Sequence, residues 1–302
     1  MGVGSMAVLL QQIINGLSLG SIYALIALGY TMVYGIIQLI NFAHGDIMMA
    51  GAYIAFFVVV YLKLNIWWAF LISMIGSALL GVLIERVAYK PLRNATRLAP
   101  LITAIGMSLF LENGGLMVLG TDIRSYPGGL ITNAQLPLVI FGMRLTATTL
   151  QLLILAITIV MMIILQYIVH YTRAGKAMRA VSYDADAARL MGINVDNTIS
   201  LTFALGSAFA AVAGILLGLY YNTIQPLMGI MPGLKAFVAA VIGGIGLIPG
   251  AMVGGFALGI FETMVSGYWS SNLRDPIVFL LLILILLVKP AGLLGKNNTE
   301  KV

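Results

Sequence analysis

The stretch Leu150–Val169 reads LQLLILAITIVMMIILQYIV and contains no charged side chain. Its apolar side chains would surround a helix on all sides instead of forming one stripe. A helix needs about 20 mainly apolar residues to cross the hydrocarbon core of a bilayer, whereas a transmembrane β-strand would show about 10 residues of alternating polarity. The stretch therefore predicts a transmembrane α-helix, and Pro276–Val288 has the same character.

The composition of the whole chain indicates a membrane protein. Hydrophobic residues make up 61% of the 302 residues and charged residues only 9%, whereas a soluble domain carries about 25% charged residues. So few charged side chains would not cover a surface that faces water. We therefore predict an all-α fold, a polytopic transmembrane helix bundle.

The apolar runs predict eight or nine membrane segments in a single transmembrane domain over residues 8–296. Glycine-rich places in the second and seventh runs are compatible with broken or re-entrant helices. Residues 1–7 are interpreted as a leader of natural or cloning origin, and 297–302 as a polar tail. The nine runs cover residues 8–38, 42–62, 66–86, 98–119, 146–170, 198–221, 234–248, 250–267 and 276–289.

The net charge of +6 is explained by the orientation of the chain in the membrane. Basic side chains cluster in loop 86–97, in loop 171–197 and near the C-terminus, and cytoplasmic loops carry an excess of Lys and Arg. These three regions are therefore predicted to be cytoplasmic. The opposite connection 120–145 is either a plain connector or a surface for a partner. The clustered basic residues are Arg86, Lys90, Arg93, Arg97, Arg173, Lys176, Arg179, Arg189, Lys289, Lys296 and Lys301.

Several enzyme classes are excluded by the sequence. The chain has no cysteine, which excludes disulfides, cysteine-ligated metals and thiol chemistry. It contains neither a Gly-x-x-x-x-Gly-Lys-[Ser/Thr] phosphate loop nor a His-Glu-x-x-His metal motif. Its two histidines are His44 and His170. We predict no catalytic residue, no metal site and no cofactor in this chain.

Polar residues inside apolar segments mark a candidate pathway. Asn41, His44 and Asp46 interrupt the start of the second segment, and Glu112 and Asn113 lie inside the fourth. Ionisable side chains at membrane depth are unfavourable and usually functional. The alternative is structural: a helix corner with a satisfied cap for the first group, and a hydrogen bond between helices for the second.

Two charged residues lie in later apolar segments. Glu262 has the same two interpretations as Glu112. Lys235 follows Pro232-Gly233 and is expected near the outer interface, where its stem would reach toward water.

A ladder of glycines follows in the sequence. Gly246, Gly250 and Gly254 are four residues apart, as are Gly255 and Gly259. Small residues at this spacing let helices approach closely in lipid. The ladder favours helix packing, within the fold or against a second subunit, over a conducting role.

The loop 171–197 is rich in helix formers and predicts a short helix. Asp184, Ala187, Ala188 and Met191 recur at helical spacing and give it a small, weakly apolar face. Asp186 and Arg189 lie to its sides, and Gly192 suits a left-handed C-cap. We predict that this helix docks on another protein; the alternative is an amphipathic helix on the membrane surface. Its residues are Asp184, Asp186, Ala187, Ala188, Arg189, Met191 and Gly192.

The pattern Asp186-Ala187-Ala188-x-x-x-Gly192 resembles the Glu-Ala-Ala-x-x-x-Gly loop of ABC importer permeases, with Asp in place of Glu. In that family, this loop is the coupling helix that sits on the ATPase subunit. The later Ile-x-Leu-Pro part is not reproduced, because Ile199-Ser-Leu201 arrives early and Thr202 replaces the proline.

Motifs across residues 8–296 together resemble the H-type permease subunit of bacterial branched-chain amino acid ABC importers. These motifs are Asn41–Asp46, Gly51–Tyr53, Glu85–Leu92, Leu98–Gly106, Gly175–Ala180, Leu190–Asn194, Lys235–Phe237, Gly243–Gly246, Pro249-Gly250 and Lys289–Gly295.

The resemblance implies a permease that forms half of a translocation pathway in the bacterial inner membrane. It implies a second homologous permease subunit, two ATP-binding-cassette ATPase subunits that bind ATP and Mg²⁺, and a periplasmic binding protein that delivers leucine, isoleucine or valine. Permeases for urea, short amides, other amino acids and sugars share parts of the pattern and remain alternatives. Two further alternatives are an ion-driven secondary transporter that uses Asp46, Glu112 or Glu262, and an intramembrane enzyme that uses His44.

Overall fold

The computed structural model describes residues 3–93, 95–96, 98–131, 133–140 and 143–295. Arg97, Lys296, Lys301 and the predicted tail 297–302 lie outside the described residues. Helices dominate the described part of the chain, as the composition predicts, and the predicted polytopic helix bundle is confirmed.

The helices follow one another with short connections. They are α1 (Val3–Ile37), α2 (His44–Val60), α3 (Ile66–Ile84), α4 (Leu98–Leu119), α5 (Thr149–Tyr171), α6 (Arg173–Tyr183), α7 (Ala185–Leu190), α8 (Val195–Tyr221), α9 (Ile230–Gly243), α10 (Ile248–Tyr268) and α11 (Arg274–Val288). A π-helical turn, Glu85–Tyr89, and a 3-10 turn, Lys90–Leu92, continue α3, and a 3-10 turn, Ser271–Leu273, precedes α11.

Nine of these helices correspond to the nine predicted segments. Within the described residues, seven helices are long and apolar enough to cross a membrane, whereas α2 and α9 are shorter. At 1.5 Å per residue, α9 is about 21 Å long, which is less than the hydrocarbon thickness of about 30 Å. The predicted seventh segment is therefore a short helix that needs other elements to hold it at its depth.

The buried centre of the molecule consists of α1 and α8, with α2, α9 and α10 around them. The helix α1 packs most extensively against α10 because small residues face each other there. A Cβ atom added at Gly255 would lie 2.5 Å from the Cα of Ala24, and one added at Gly259 would lie 2.3 Å from the Cα of Gly20. The backbones of α1 and α10 therefore approach more closely than any larger side chain allows.

The other glycines of the ladder lie at the boundary between α9 and α10. A Cβ atom at Gly254 would lie 2.0 Å from the backbone oxygen of Ala239, and one at Gly250 would lie 2.7 Å from that of Gly243. Gly246 lies in the turn between the two helices, with a φ of 92°, and a Cβ atom added at Gly35 of α1 would lie 3.4 Å from its Cα. Pro249 sits in the first turn of α10, where its missing N–H leaves no helical hydrogen bond unmade.

Two helices lie almost entirely on the outside. Pro100 and Ala104 are the buried described residues of α4, and Val278 is that of α11. Their remaining apolar side chains need lipid or another protein chain to cover them, which agrees with a helix bundle whose solvent is lipid.

The connection 120–145 leads into the two strands found among the described residues. Strands β1 (Gln135–Ile140) and β2 (Met143–Thr148) form an antiparallel hairpin. Before it, Arg124 bridges to Ile224, and the buried Tyr126 hydroxyl donates a hydrogen bond to the Ala52 backbone oxygen at 2.8 Å. Burial raises the pKa of Tyr126 well above its usual range, so the hydroxyl keeps the proton that it donates.

Candidate functional site

A small cavity lies where the start of α2 meets α4 and the start of α9. Its volume is about 130 Å³. It brings two of the predicted pathway residues together, because Asp46 and Glu112 both line it. No Lys or Arg is among the described residues that line the cavity, which are Tyr30, Phe42, Gly45, Asp46, Ser108, Glu112, Gly229, Ile230, Gly233 and Leu234.

The two carboxylates of the cavity share one hydroxyl. Ser108 donates a hydrogen bond to the Asp46 carboxylate, and its Oγ lies 3.4 Å from Oε1 of Glu112. Asp46 is buried, whereas Glu112 is partly exposed. Carboxylates without a nearby basic side chain attract cationic groups and hydrogen-bond donors. The cavity can therefore receive the ammonium or amide hydrogens of a small solute.

Asn113 does not belong to this cavity. Its side-chain amide donates to the backbone oxygen of Leu109 at 2.7 Å, on an exposed face of α4. Consecutive residues of a helix point in directions about 100° apart. Glu112 therefore faces the cavity, whereas Asn113 lies on the exposed surface of α4.

Asn41 is buried and is not among the described residues that line the cavity. Tyr89 donates a hydrogen bond to its side-chain oxygen at 2.9 Å, while its amide nitrogen has no partner in the described part of the chain. The Asn41 backbone oxygen accepts from the His44 N–H at 3.1 Å, so Asn41 fixes the turn that starts α2.

His44 is packed into the crossing of α1 and α2. Its ring centroid lies 4.7 Å from that of Tyr30. A Cβ atom at Gly29 would lie 2.2 Å from its Nε2, so the ring occupies space that glycine leaves free. His44 is not among the residues that line the cavity. Its contacts favour the structural interpretation.

The predicted docking loop folds as two helices, α6 and α7. Asp184 separates them and accepts hydrogen bonds from the Asp186 and Ala187 N–H groups, both at 2.9 Å, which caps α7. Asp186 and Arg189 form an exposed ion pair at 3.2 Å. Gly192 follows with a φ of 83°, in the left-handed region.

The exposed apolar surface of this loop differs from the predicted face. Ala188 is 4% exposed and is turned into the chain, while Ala187 and Met191 are exposed. Ala188 is therefore not part of a docking surface, because its side chain packs against the membrane domain. Two large exposed side chains that the helical spacing missed, Tyr183 and Leu190, join Met191 on the surface and are 96%, 88% and 83% exposed, in that order.

A charged network that the sequence did not reveal lies beside this loop. Glu85 is fully buried; it pairs with Arg93 and accepts a hydrogen bond from Ser200 at 2.6 Å. Asp196 joins the network through Arg93 at 2.6 Å and Lys90 at 2.7 Å. The sequence pattern of these loop charges indicates only the orientation in the membrane. The usable sequence signal was Glu85, a carboxylate at the end of an apolar segment.

A second buried charge group joins α9, α10 and α11. The Lys235 ammonium lies 2.9 Å from Glu262 and 2.6 Å from Asp275, and Arg274 Nε lies 3.4 Å from Glu262. The prediction that Lys235 reaches toward water is wrong, because these two carboxylates hold its ammonium inside the protein. The contacts of Glu262 favour the structural one of its two interpretations.

Comparison with known proteins places this architecture in a family. The model of the family described as "Branched-chain amino acid transport system / permease component" matches residues 12–288. The chain belongs to this family. The predicted resemblance is thereby confirmed, and the permease is a multi-pass membrane protein.

The permease has close relatives in several bacteria. It is 47% identical to the high-affinity branched-chain amino acid transport system permease protein LivH of Salmonella typhimurium LT2, over 97% of both chains. The same identity and coverage hold for LivH of Escherichia coli K12. The corresponding protein BraD of Pseudomonas aeruginosa is 45% identical over 97% of the permease and 98% of BraD. No solved structure matches the permease.

Proposed function

We propose that this chain is a transmembrane permease subunit of an ATP-binding-cassette importer and forms half of the translocation pathway for branched-chain amino acids. The observation that carries the proposal is the 47% identity over 97% of the chain to proteins named for branched-chain amino acid transport. That coverage includes both the cavity and the loop that holds α6 and α7. A fructose import permease protein, FruG of Bifidobacterium longum, is only 24% identical over 84% of the chain. Leucine, isoleucine and valine are therefore the preferred substrates in this proposal.

The pathway passes the cavity between α2, α4 and α9. Asp46 and Glu112 supply two carboxylates there without a basic neighbour among the described lining residues. An amino acid carries an ammonium group that such carboxylates would attract. The two carboxylates belong to different helices, α2 and α4. The shape of a site between them therefore changes when these helices move relative to each other.

The ATPase subunit binds the loop formed by α6 and α7. Tyr183, Leu190 and Met191 expose large apolar surfaces there, and Asp186 and Arg189 flank them. Apolar anchors surrounded by polar side chains are typical of protein interfaces. Because the chain has no phosphate loop, ATP and Mg²⁺ are bound by two partner ATPase subunits.

A second, homologous permease subunit covers the outer face of α4. Asn113 presents a polar side chain on this face. A Cβ atom at Gly106 or Gly114 would meet no described atom within 4 Å. Small residues and amides on a membrane helix support close contact with another helix, whereas a polar side chain toward lipid is unfavourable.

The orientation follows from the charges. Loops 86–97 and 171–197 and the C-terminus lie in the cytoplasm, and the connection 120–145 faces the periplasm, where a binding protein delivers the solute. This arrangement in the bacterial inner membrane places α7 on the side where ATP is available.

The test is reconstitution of this chain with its co-purifying subunits and binding protein in liposomes. We expect uptake of labelled leucine that needs ATP, persists with an ionophore, and is not competed by urea or acetamide. Uptake that collapses with the ionophore and needs no ATPase would support the secondary transporter instead. Loss of a chemical product on His44→Ala substitution would support the intramembrane enzyme.

The docking surface is tested with a matched pair of variants. The double variant Leu190→Ser, Met191→Ser should abolish co-purification of the ATPase. The control is Leu62→Ser, which should not, because Leu62 follows α2, far along the chain from α7, and is similarly exposed at 61%. ATPase binding by the double variant at the level of the unchanged protein would contradict the assigned surface.

A further inference from the structure

We propose that residues 85–93, here named the bracket, transmit movement of loop 171–197, here named the coupling loop, to the start of α2. The bracket contacts the first turn of α8 through the ion pairs of Lys90 and Arg93 with Asp196. It contacts the turn before α2 through the hydrogen bond from Tyr89 to Asn41. These are positioning residues that act on the pathway through α2. The inference rests on the proposed function for its meaning, but the physical connection can be measured without it.

The first connection runs from α7 to the start of α8. The Ile193 N–H donates to the Ala188 backbone oxygen at 3.0 Å, and the Asn194 side chain caps α8 by accepting from the Asn197 N–H at 3.0 Å. The turn between the helices is therefore hydrogen-bonded on both sides. A displacement of α7 moves the first turn of α8, which contains Asp196.

The second connection joins the first turn of α8 to the bracket. Asp196 uses both carboxylate oxygens, one for Arg93 and one for Lys90. Arg93 continues to Glu85, which is fully buried and also held by Ser200 of α8. Moving Ser200 away would leave an oxygen of the buried Glu85 carboxylate without its hydrogen-bond donor, which is unfavourable. The bracket must therefore follow α8 when α8 moves.

The third connection joins the bracket to the start of α2. Tyr89 closes the π-helical turn, and its ring packs on Phe203 with centroids 5.3 Å apart. Its hydroxyl donates to Asn41, whose backbone oxygen receives the first N–H of α2 from His44. Asp46 of the cavity follows within the same turn. Single π-helical turns are rare and occur frequently at functional sites.

The surroundings of the bracket leave space for this movement. A groove of about 960 Å³ separates residues 36–40, which precede Asn41, from residues 181–186 of the coupling loop. Lys90, Arg93 and Asp196 lie along the same groove. The loop can thus shift relative to the turn before α2, and the bracket bridges the two sides.

The connection is tested by amide hydrogen exchange of the full chain in detergent, read at His44–Ile47. Tyr89→Phe removes only the hydroxyl, and we expect exchange there to rise about fivefold, the effect of one net hydrogen bond. The matched control is Tyr53→Phe, because the buried Tyr53 hydroxyl has no hydrogen-bond partner among the described residues; exchange should stay unchanged.

The decisive experiment changes Asp196, which contacts the bracket from α8 and not from α2. Asp196→Asn should raise exchange at His44–Ile47 in the same direction, Asp196→Glu should restore protection, and Asp122→Asn in the outer loop should have no effect. Exchange at His44–Ile47 that stays at the unsubstituted level in Asp196→Asn would overturn the connection, whatever the protein transports.

The functional consequence is measured in the reconstituted complex. We expect Tyr89→Phe to keep ATP hydrolysis while the leucine taken up per ATP falls about fivefold, again the effect of one net hydrogen bond. An unchanged ratio overturns the transmission role. If the unsubstituted complex takes up no leucine with ATP, the proposed function fails, and the exchange experiment still decides whether the bracket connects Asp196 to α2.

Discussion

The Lys235 ammonium and the Glu262 carboxylate form an ion pair at 2.9 Å, and both residues are buried. Lys235 lies on α9 and Glu262 on α10, and Lys235 also reaches Asp275 at the start of α11. The helix α9 is too short to cross the membrane and cannot set its own depth. The ion pairs to α10 and α11 fix it instead, and they hold its first residues against the cavity.

Lys235→Met should destabilise the permease strongly, because it leaves Glu262 buried without its main partner. Removing one member of a buried pair is unfavourable by about 3–5 kcal/mol. We expect the low end of that range, since Arg274 lies 3.4 Å from the same carboxylate. Thermal unfolding in detergent measures the loss.

The double variant with Lys235→Met and Glu262→Met separates burial of an unpaired charge from loss of packing. Apolar replacement of a whole buried pair is often neutral, so most of the stability should return. A double variant as unstable as Lys235→Met alone would contradict this explanation.

Gly255→Ala should disrupt the contact of α10 with α1. The new Cβ would lie 2.5 Å from the Cα of Ala24, an atom of the backbone that cannot rotate away. Overpacking of this kind destabilises by about 1–3 kcal/mol. The matched control is Gly106→Ala on α4, which should stabilise the isolated chain by up to about 1 kcal/mol through helix propensity. The unfolding temperatures of the two variants should therefore move in opposite directions.

The helices were predictable because lipid imposes a length and a composition on each of them. Leu150–Val169 falls within α5, and each of the nine runs overlaps one helix. The boundary between α9 and α10 was misplaced by several residues, because Gly243 and Gly244 are as apolar as their neighbours. The end of α9 is decided by the φ of 108° at Gly244, which hydrophobicity does not encode.

The candidate site was predictable only where a polar residue interrupts an apolar run. Asp46 and Glu112 stand out for that reason, and the structure brings them to one cavity through Ser108. Pairings across more than 100 residues, such as that of Arg93 with Asp196, depend on how α3 packs against α8. Local patterns contain no information about that contact.

Asp184→Ala should weaken docking of the ATPase without unfolding the membrane domain. The Asp184 carboxylate accepts two backbone N–H groups at the start of α7, and loss of such a cap is unfavourable by about 1 kcal/mol. We expect the affinity of the ATPase for permease in nanodiscs to fall about fivefold, with an unchanged unfolding temperature. Asp184→Asn keeps a capping oxygen and should retain the affinity. Equal losses in both variants would mean that the charge, not the cap, matters.

Glu112→Gln should slow leucine uptake while ATP hydrolysis continues. The carboxylate lines the cavity, 3.4 Å from the Ser108 hydroxyl, so we expect the change to act on the solute and not on the ATPase. A hydrogen bond to a charged group contributes about 1.5–3 kcal/mol, which corresponds to uptake at least about tenfold slower at low leucine concentration.

The cycle of Glu112→Gln, Asp46→Asn and the double variant then decides whether the two carboxylates act together. Because both lie within reach of Ser108, the effects on uptake should be non-additive by about 0.5 kcal/mol or more. Asp122→Asn removes an exposed carboxylate from the outer loop and controls for net charge. Additive losses, or uptake by Glu112→Gln equal to that of Asp122→Asn, would remove the cavity from the pathway and direct attention to the exposed face of α4.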